Sequence, residues 1–329
     1  MKRSAWAFAL CLPLLAGAQK VQLALHEGWT MGQEGTTQRW PAQVPGVVHT
    51  DLLRAGVIPD PFHDENVDNV QWIERADWVY ERTVQVDEAV LRHGHVDLVF
   101  EGLDTYAEVY WNDVLLGRAD NMFRRWTYPL KKLLRPGPAR LKVIFRSPIA
   151  EGQKRRAAYG LQLPADNDAG SVKVSPYMRK AAYQFGWDFA PRLVTSGIWR
   201  PVALHCWDDV RVQDMHVRSR MDEAGNAWLD LQAVLVADRA ISITLKAGTA
   251  GGIELESDLK LRGGRDTLHF QLPLPDALPW WPQGEGERPL YAVRLGGWKG
   301  QRLLFLEERQ VGVRTIALDQ SVDSIGAAF

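Results

Sequence analysis

Short segments in which apolar and polar residues alternate recur along the chain. In residues 229–235 (LDLQAVL) nearly every second residue is apolar, which places the apolar side chains on one face of an extended strand. Similar segments rich in β-branched and aromatic residues predict strands at 95–100, 106–111, 140–145, 241–245, 268–272, 291–295 and 303–306. Residues 50–55, which Gly56 ends, are the only segment predicted to be helical. The chain is therefore predicted to be all-β.

Turn-forming residues separate these strands, and the strands fall into two groups along the chain. Asn112 and Asp113 tolerate positive φ, so they predict a tight hairpin between residues 106–111 and 114–116. From Val210 onward, roughly seven short strands in about 110 residues fit an immunoglobulin-like sandwich. We place the boundary between the two β-domains near residues 207–209.

Length and charge narrow the class of protein. A chain of 329 residues is long enough for two domains. The net charge is −1 and acidic and basic residues are interspersed, so we predict neither a nucleic-acid nor a membrane partner. Of the 14 tryptophans, most are interpreted as core residues of the sandwiches, and a few in loops rich in Gly, Pro and Asp as sugar-stacking residues.

The N-terminus has the pattern of a signal peptide. Lys2 and Arg3 precede an apolar segment too short for a permanent bilayer span, and residues 16–18 (AGA) supply the small side chains for cleavage. We predict a signal peptide at 1–18 and a periplasmic or secreted protein. Once residues 1–18 are removed, the chain would retain one cysteine, Cys206. It is interpreted as a small buried hydrophobe, with a reactive thiol as the alternative.

The candidate site is residues 185–192 (FGWDFAPR), followed by residues 197–201 (GIWRP). This segment combines aromatic side chains with a carboxylate. Aromatic rings stack on the apolar face of a sugar, and a carboxylate accepts hydrogen bonds from its hydroxyls. Trp187, Asp188 and Phe189 are therefore the candidate substrate-binding residues.

With Arg179 and Lys180 just before it, this segment resembles the β-mannosidases of glycoside hydrolase family 2. The resemblance extends over about 300 residues in many ordered matches, which together are far more specific than one motif. The other matching segments are 44–53 (VPGVVHTDLL), 58–62 (IPDPF), 71–74 (QWIE), 77–80 (DWVY), 100–107 (FEGLDTYA), 121–123 (NMF), 279–282 (PWWP), 289–291 (PLY) and 311–315 (VGVRT).

The resemblance implies a domain order. It predicts a galactose-binding-like jelly-roll sandwich at 19–207 and an immunoglobulin-like sandwich at 208–317. Residues 318–329 would begin the linker to a (β/α)8 barrel that this sequence does not contain.

The resemblance also implies roles for the candidate residues. Asp188 would accept hydrogen bonds from mannose hydroxyls, and the Trp187 ring would form one side of the pocket. Phe189 occupies a position at which the family commonly has a second Trp. The alternative is that Asp188 pairs with Arg192 or Arg200 and only fixes the loop. Arg179 and Lys180 are interpreted as ion-pair or domain-interface residues.

No catalytic residue is predicted in this chain. Retaining glycosidases need two carboxyl groups about 5–5.5 Å apart, which in this family are barrel glutamates. Glu101 and Asp104 are the nearest substitute, but Asp104 is better interpreted as a turn cap. His93 and His95 are interpreted as a solvated turn, so no metal and no cofactor is predicted.

These inferences predict the non-catalytic N-terminal portion of an exported β-mannosidase, inactive alone. The complete enzyme would release terminal non-reducing β-D-mannose with retention, so its partners would be a β-mannoside oligosaccharide and the missing catalytic barrel. Two alternatives stay open: a stand-alone mannoside-binding protein, and a subunit that completes a separately encoded barrel.

Overall fold

The computed structural model describes residues 21–249, 254–318, 320–322 and 324–326. The predicted signal peptide, residues 1–18, lies outside the described residues. These ranges form two compact units, Val21–Cys206 and the residues from Trp207 onward. No helix in the described ranges is long and apolar enough to cross a bilayer.

The first unit contains ten strands in two antiparallel sheets, with strand orders β3-β2-β4-β9-β6-β7 and β1-β10-β5-β8. The strands are β1 (Val21–Ala24), β2 (Trp29–Gln33), β3 (Trp40–Ala42), β4 (Trp78–Val86), β5 (His95–Phe100), β6 (Tyr106–Trp111), β7 (Val114–Asp120), β8 (Trp126–Pro129), β9 (Gly137–Phe145) and β10 (Val202–Trp207). The helices are α1 (Val48–Arg54), α2 (Asn66–Asn69), α3 (Glu88–Leu91) and α4 (Pro148–Tyr159), with 3-10 turns at Ile73–Arg75, Ser175–Tyr177 and Ala182–Phe185.

One apolar core joins the two sheets of the first unit. Trp78, Trp111 and Phe145 from the larger sheet and Phe100 from the smaller one are fully buried in it. Cys206 lies in the same core, as predicted for a buried hydrophobe. Burial of such large side chains from both sheets is the main favourable contribution to the stability of the sandwich.

In the part of it that the structure describes, the second unit contains seven strands in two antiparallel sheets, with orders β11-β12-β15 and β14-β13-β16-β17. The strands are β11 (Val210–Met221), β12 (Ala227–Ala237), β13 (Ile241–Thr249), β14 (Glu254–Leu261), β15 (Gly264–Leu274), β16 (Tyr291–Lys299) and β17 (Arg302–Val311). The alternating apolar residues of β12, including Leu229, Leu231 and Leu235, are buried in its core. The predicted all-β class is confirmed.

Two local predictions have different outcomes. Asn112 and Asp113 adopt φ of 46° and 63° in the hairpin between β6 and β7, as predicted. The prediction of a single helical segment is wrong, because α4 runs for 12 residues. Ser147 caps it by accepting a hydrogen bond from the Ala150 N–H, and Gly160 ends it at φ 76°.

Candidate functional site

The candidate residues form the tip of a tight hairpin. The main chains of Trp187 and Ala190 exchange two hydrogen bonds, of 3.0 and 3.2 Å, so Asp188 and Phe189 occupy the turn. Phe189 is 86% exposed and Trp187 is 52% exposed, and Asp188 is exposed as well. The structure therefore brings the three predicted residues together on the surface.

Asp188 carries an unpaired carboxylate. Within the described residues its side chain has no ion-pair or hydrogen-bond partner. Arg192 pairs instead with Glu74 (3.1 Å) and approaches Asp168 (3.8 Å), and Arg200 stacks on Trp199. The alternative in which an arginine fixes Asp188 is not observed, so its carboxylate oxygens are open to a ligand.

The base of the hairpin is fixed although its tip is exposed. Phe185, just before it, is fully buried. The Leu193 N–H donates to the Gln184 carbonyl (2.9 Å), and the Thr195 N–H donates to the Gln184 side chain (3.1 Å). The residues that pack with Phe185 in this small core are Tyr106, Ile149, Val174, Met178 and Val194. A surface loop held in this way keeps its tip residues in a defined position.

A buried ion pair joins both sides of the hairpin. Lys180 is fully buried, and its ammonium donates to the Asp104 carboxylate and to the Thr195 carbonyl (2.6 Å). Asp104 also accepts from the hydroxyls of Thr195 (2.6 Å) and Thr105 (2.7 Å), and from the Gln184 amide (3.4 Å). The interpretation of Asp104 as a turn cap is wrong, because every partner of its carboxylate among the described residues is a side chain. The interpretation of Lys180 as an ion-pair residue is confirmed.

Burial shifts the pKa values of Lys180 and of His49. It lowers the pKa of Lys180, while the Asp104 carboxylate opposes that shift. Burial, together with Lys180, lowers the pKa of His49 to about 4 against an opposing effect of Asp104. His49 is therefore neutral at pH 7.

Glu101 and Asp104 have different cationic partners. Glu101 lies at the surface and pairs with Arg125 at 2.8 Å, whereas Asp104 is buried against Lys180. Neither is therefore assigned a catalytic role.

A cleft of about 440 Å³ lies beside the hairpin, with Ala190 and Pro191 in its wall. Phe62 and Tyr183 form its exposed aromatic rim, and most of its lining is apolar. The other lining residues are Val47, Asp104, Met122, Gln184, Leu193, Thr195 and Trp199. Trp187, Asp188 and Phe189 do not line this cleft. Beside it, the hairpin tip carries two exposed aromatic rings and one open carboxylate. Such a surface can bind the C–H face and the hydroxyls of a sugar.

Sequence reasoning missed the contribution of Phe62 and Tyr183 to this surface. Both lie in segments rich in aromatic and turn residues, but nothing local indicates that they meet. They are far apart in the sequence, and the fold brings both to one cleft.

Comparison with known proteins identifies the family. Residues 29–200 match the model for "Glycosyl hydrolase 2 galactose-binding domain-like". A beta-mannosidase A from Aspergillus terreus is 30% identical over 89% of this chain and 34% of its own length. A beta-mannosidase from Capra hircus is 27% identical over 94% of this chain and 36% of its own. The chain thus spans about a third of the curated relatives that it matches.

Solved structures have the same fold. The beta-D-mannosidase of Dictyoglomus thermophilum superposes with a TM-score of 0.85 at 33% identity, over 94% of this chain and 38% of that one. An exo-chitosanase from Amycolatopsis orientalis, at 20% identity and a TM-score of 0.71, shares the fold. These matches confirm the resemblance to the N-terminal part of β-mannosidases, and the chain belongs to glycoside hydrolase family 2 through its galactose-binding-like domain.

Proposed function

We propose that this chain is the non-catalytic N-terminal portion of an exported β-mannosidase. The complete enzyme would release terminal β-D-mannose from the non-reducing ends of β-mannosides with retention of configuration. The match of most of this chain to about a third of several β-mannosidases supports the proposal. Export rests on the sequence pattern of residues 1–18.

In that enzyme the hairpin would form part of the sugar pocket. Asp188 would accept hydrogen bonds from mannose hydroxyls, and an ionised carboxylate can accept about four of them. Trp187 would wall the pocket, and Phe189 would extend its apolar surface. The observation that carries this proposal is the exposed carboxylate of Asp188 between two exposed aromatic rings, on a loop whose base is fixed.

The paired carboxylates of the reaction would come from a catalytic barrel outside this sequence. A retaining mechanism needs an acid/base and a nucleophile about 5–5.5 Å apart. We assign neither role within this chain. The chain alone should therefore not hydrolyse 4-nitrophenyl β-D-mannoside above the rate in buffer.

Calorimetric titration of the chain with mannose and β-mannobiose tests the proposal. One wall of a pocket cannot surround a sugar, so we expect no sub-millimolar binding. Sub-millimolar affinity that disappears in Asp188→Ala would instead establish a stand-alone mannoside-binding protein. Recovery of hydrolysis on mixing with a separately produced barrel would favour a completing subunit.

A further inference from the structure

A second cleft, of about 770 Å³, lies between α4 and the strands β6 and β7 of the unit Val21–Cys206. It shares no lining residue with the cleft beside the hairpin. Its volume is in the range of small-molecule sites, which is roughly 300–1,000 Å³. The proposed function makes no use of it.

The charged side chains that line this second cleft sum to a net charge of zero. Each is held by a partner of opposite sign within the cleft, as the pairs Arg118–Glu108, Arg146–Asp77, Arg146–Glu108, Lys154–Glu151 and Arg155–Asp120. Four cations thus face four anions. An anionic or cationic ligand would meet as many like charges as opposite ones, so the cleft favours a neutral ligand.

The same pairs fix polar groups in defined directions. The Arg146 guanidinium lies 2.9 Å from Asp77 and 2.6 Å from Glu108, and it also contacts Glu34. Glu108 accepts a further hydrogen bond, of 3.0 Å, from the Tyr110 hydroxyl. Carboxylates and guanidinium groups that are already oriented can bind neighbouring hydroxyls with little further loss of entropy.

Tyr106 supplies a donor with no partner. It is 5% exposed, lines the cleft, and its hydroxyl has no hydrogen-bond partner in the described part of the chain. Burial raises the pKa of Tyr106 to about 12, so the hydroxyl stays protonated. Arg155 covers the ring at 4.7 Å from its centroid, but its side chain is 43% exposed and can move aside. A buried hydroxyl without a partner is unfavourable, and a ligand oxygen would relieve it.

We propose that this second cleft binds one neutral pyranose unit, as an accessory sugar site separate from the hairpin. Tyr106 would donate to a ring hydroxyl, and Glu108 and Arg146 would bind neighbouring hydroxyls. The half-buried ring of Trp126 would supply an apolar wall. A neutral polyol suits a cleft whose charged side chains sum to zero, and one of its oxygens could accept a hydrogen bond from the Tyr106 hydroxyl.

Saturation-transfer NMR titration of the intact chain tests this site, with methyl β-D-mannopyranoside and methyl β-D-glucopyranoside as probes. A single open cleft should give a Kd of about 1–10 mM for at least one probe. Tyr106→Phe should weaken that binding about 3- to 10-fold through loss of one hydrogen bond. The fold should be retained, since the hydroxyl that is removed has no partner among the residues that the structure describes.

Tyr128→Phe is the matched control. Tyr128 is also buried, its hydroxyl has no partner in the described residues, and it does not line this cleft. Tyr128→Phe should bind as the unchanged chain does, and inorganic phosphate should not compete. The absence of saturable binding, equal affinity in Tyr106→Phe, or competition by phosphate would overturn the proposal. Loss of binding in Asp188→Ala would also overturn it, by assigning the signal to the hairpin.

Discussion

Replacing Lys180 by Met should destabilise the unit Val21–Cys206 strongly. The Asp104 carboxylate is 1% exposed and would keep only its hydrogen bonds from Thr105, Thr195 and Gln184. Leaving a buried charge without its partner costs about 3–5 kcal/mol. For a domain of this size the loss corresponds to a decrease in Tm of roughly 10 °C.

Urea unfolding followed by circular dichroism, together with calorimetry, measures this loss. Lys154→Met is the matched control, because Lys154 pairs with Glu151 at 2.6 Å but is 71% exposed, so its loss should matter little. Combining Lys180→Met with Asp104→Asn removes both charges and keeps an acceptor for Thr195. That double variant should recover at least half of the lost stability. Equal stability of Lys180→Met and Lys154→Met would refute the reasoning.

Two further changes test the surroundings of the hairpin. The pKa of His49 is about 4 in the folded chain and 6.5 when the imidazole is exposed. Keeping the imidazole neutral therefore stabilises the folded chain fully above pH 6.5. As the pH falls to 4, the free energy of unfolding should decrease by about 3 kcal/mol. Urea unfolding at pH 7 and 4.5 should therefore show a larger loss for the unchanged chain than for His49→Leu, and equal losses would count against a buried neutral imidazole. Gly197 has φ of 155°, and a Cβ there would lie 2.6 Å from the Gly46 carbonyl oxygen. Gly197→Ala should cost about 1–3 kcal/mol of folding free energy, whereas Gly225→Ala, which meets no atom within 4 Å, serves as a control for positive φ alone.

The strands could be predicted because their signal is local. Alternation in β12 and the positive-φ pair Asn112 and Asp113 are visible within a few residues. Helix α4 could not be predicted from an apolar stripe, because few of its residues are buried and those few lie at its N-terminal end. Ser147 and Gly160 were the signals that could have located it.

The hairpin residues could also be predicted, but their anchors could not. Trp187, Asp188 and Phe189 are adjacent in sequence. Lys180 and Asp104, by contrast, are 76 residues apart, and Arg192 and Glu74 are 118 apart. Only the folded sandwich brings such pairs together, so sequence could not decide whether an arginine would engage Asp188.

The role of Asp188 in a sugar pocket is tested most directly in a chimera. This chain would replace the N-terminal portion of the Dictyoglomus thermophilum β-D-mannosidase, and kcat/KM would be measured on 4-nitrophenyl β-D-mannoside. We predict an active chimera in which Asp188→Asn lowers kcat/KM by about 10- to 150-fold, as expected for lost hydrogen bonds to a charged group. Phe189→Trp, which keeps the apolar surface, should remain close to the unchanged chimera. An active chimera whose Asp188→Asn variant keeps full kcat/KM would contradict the account.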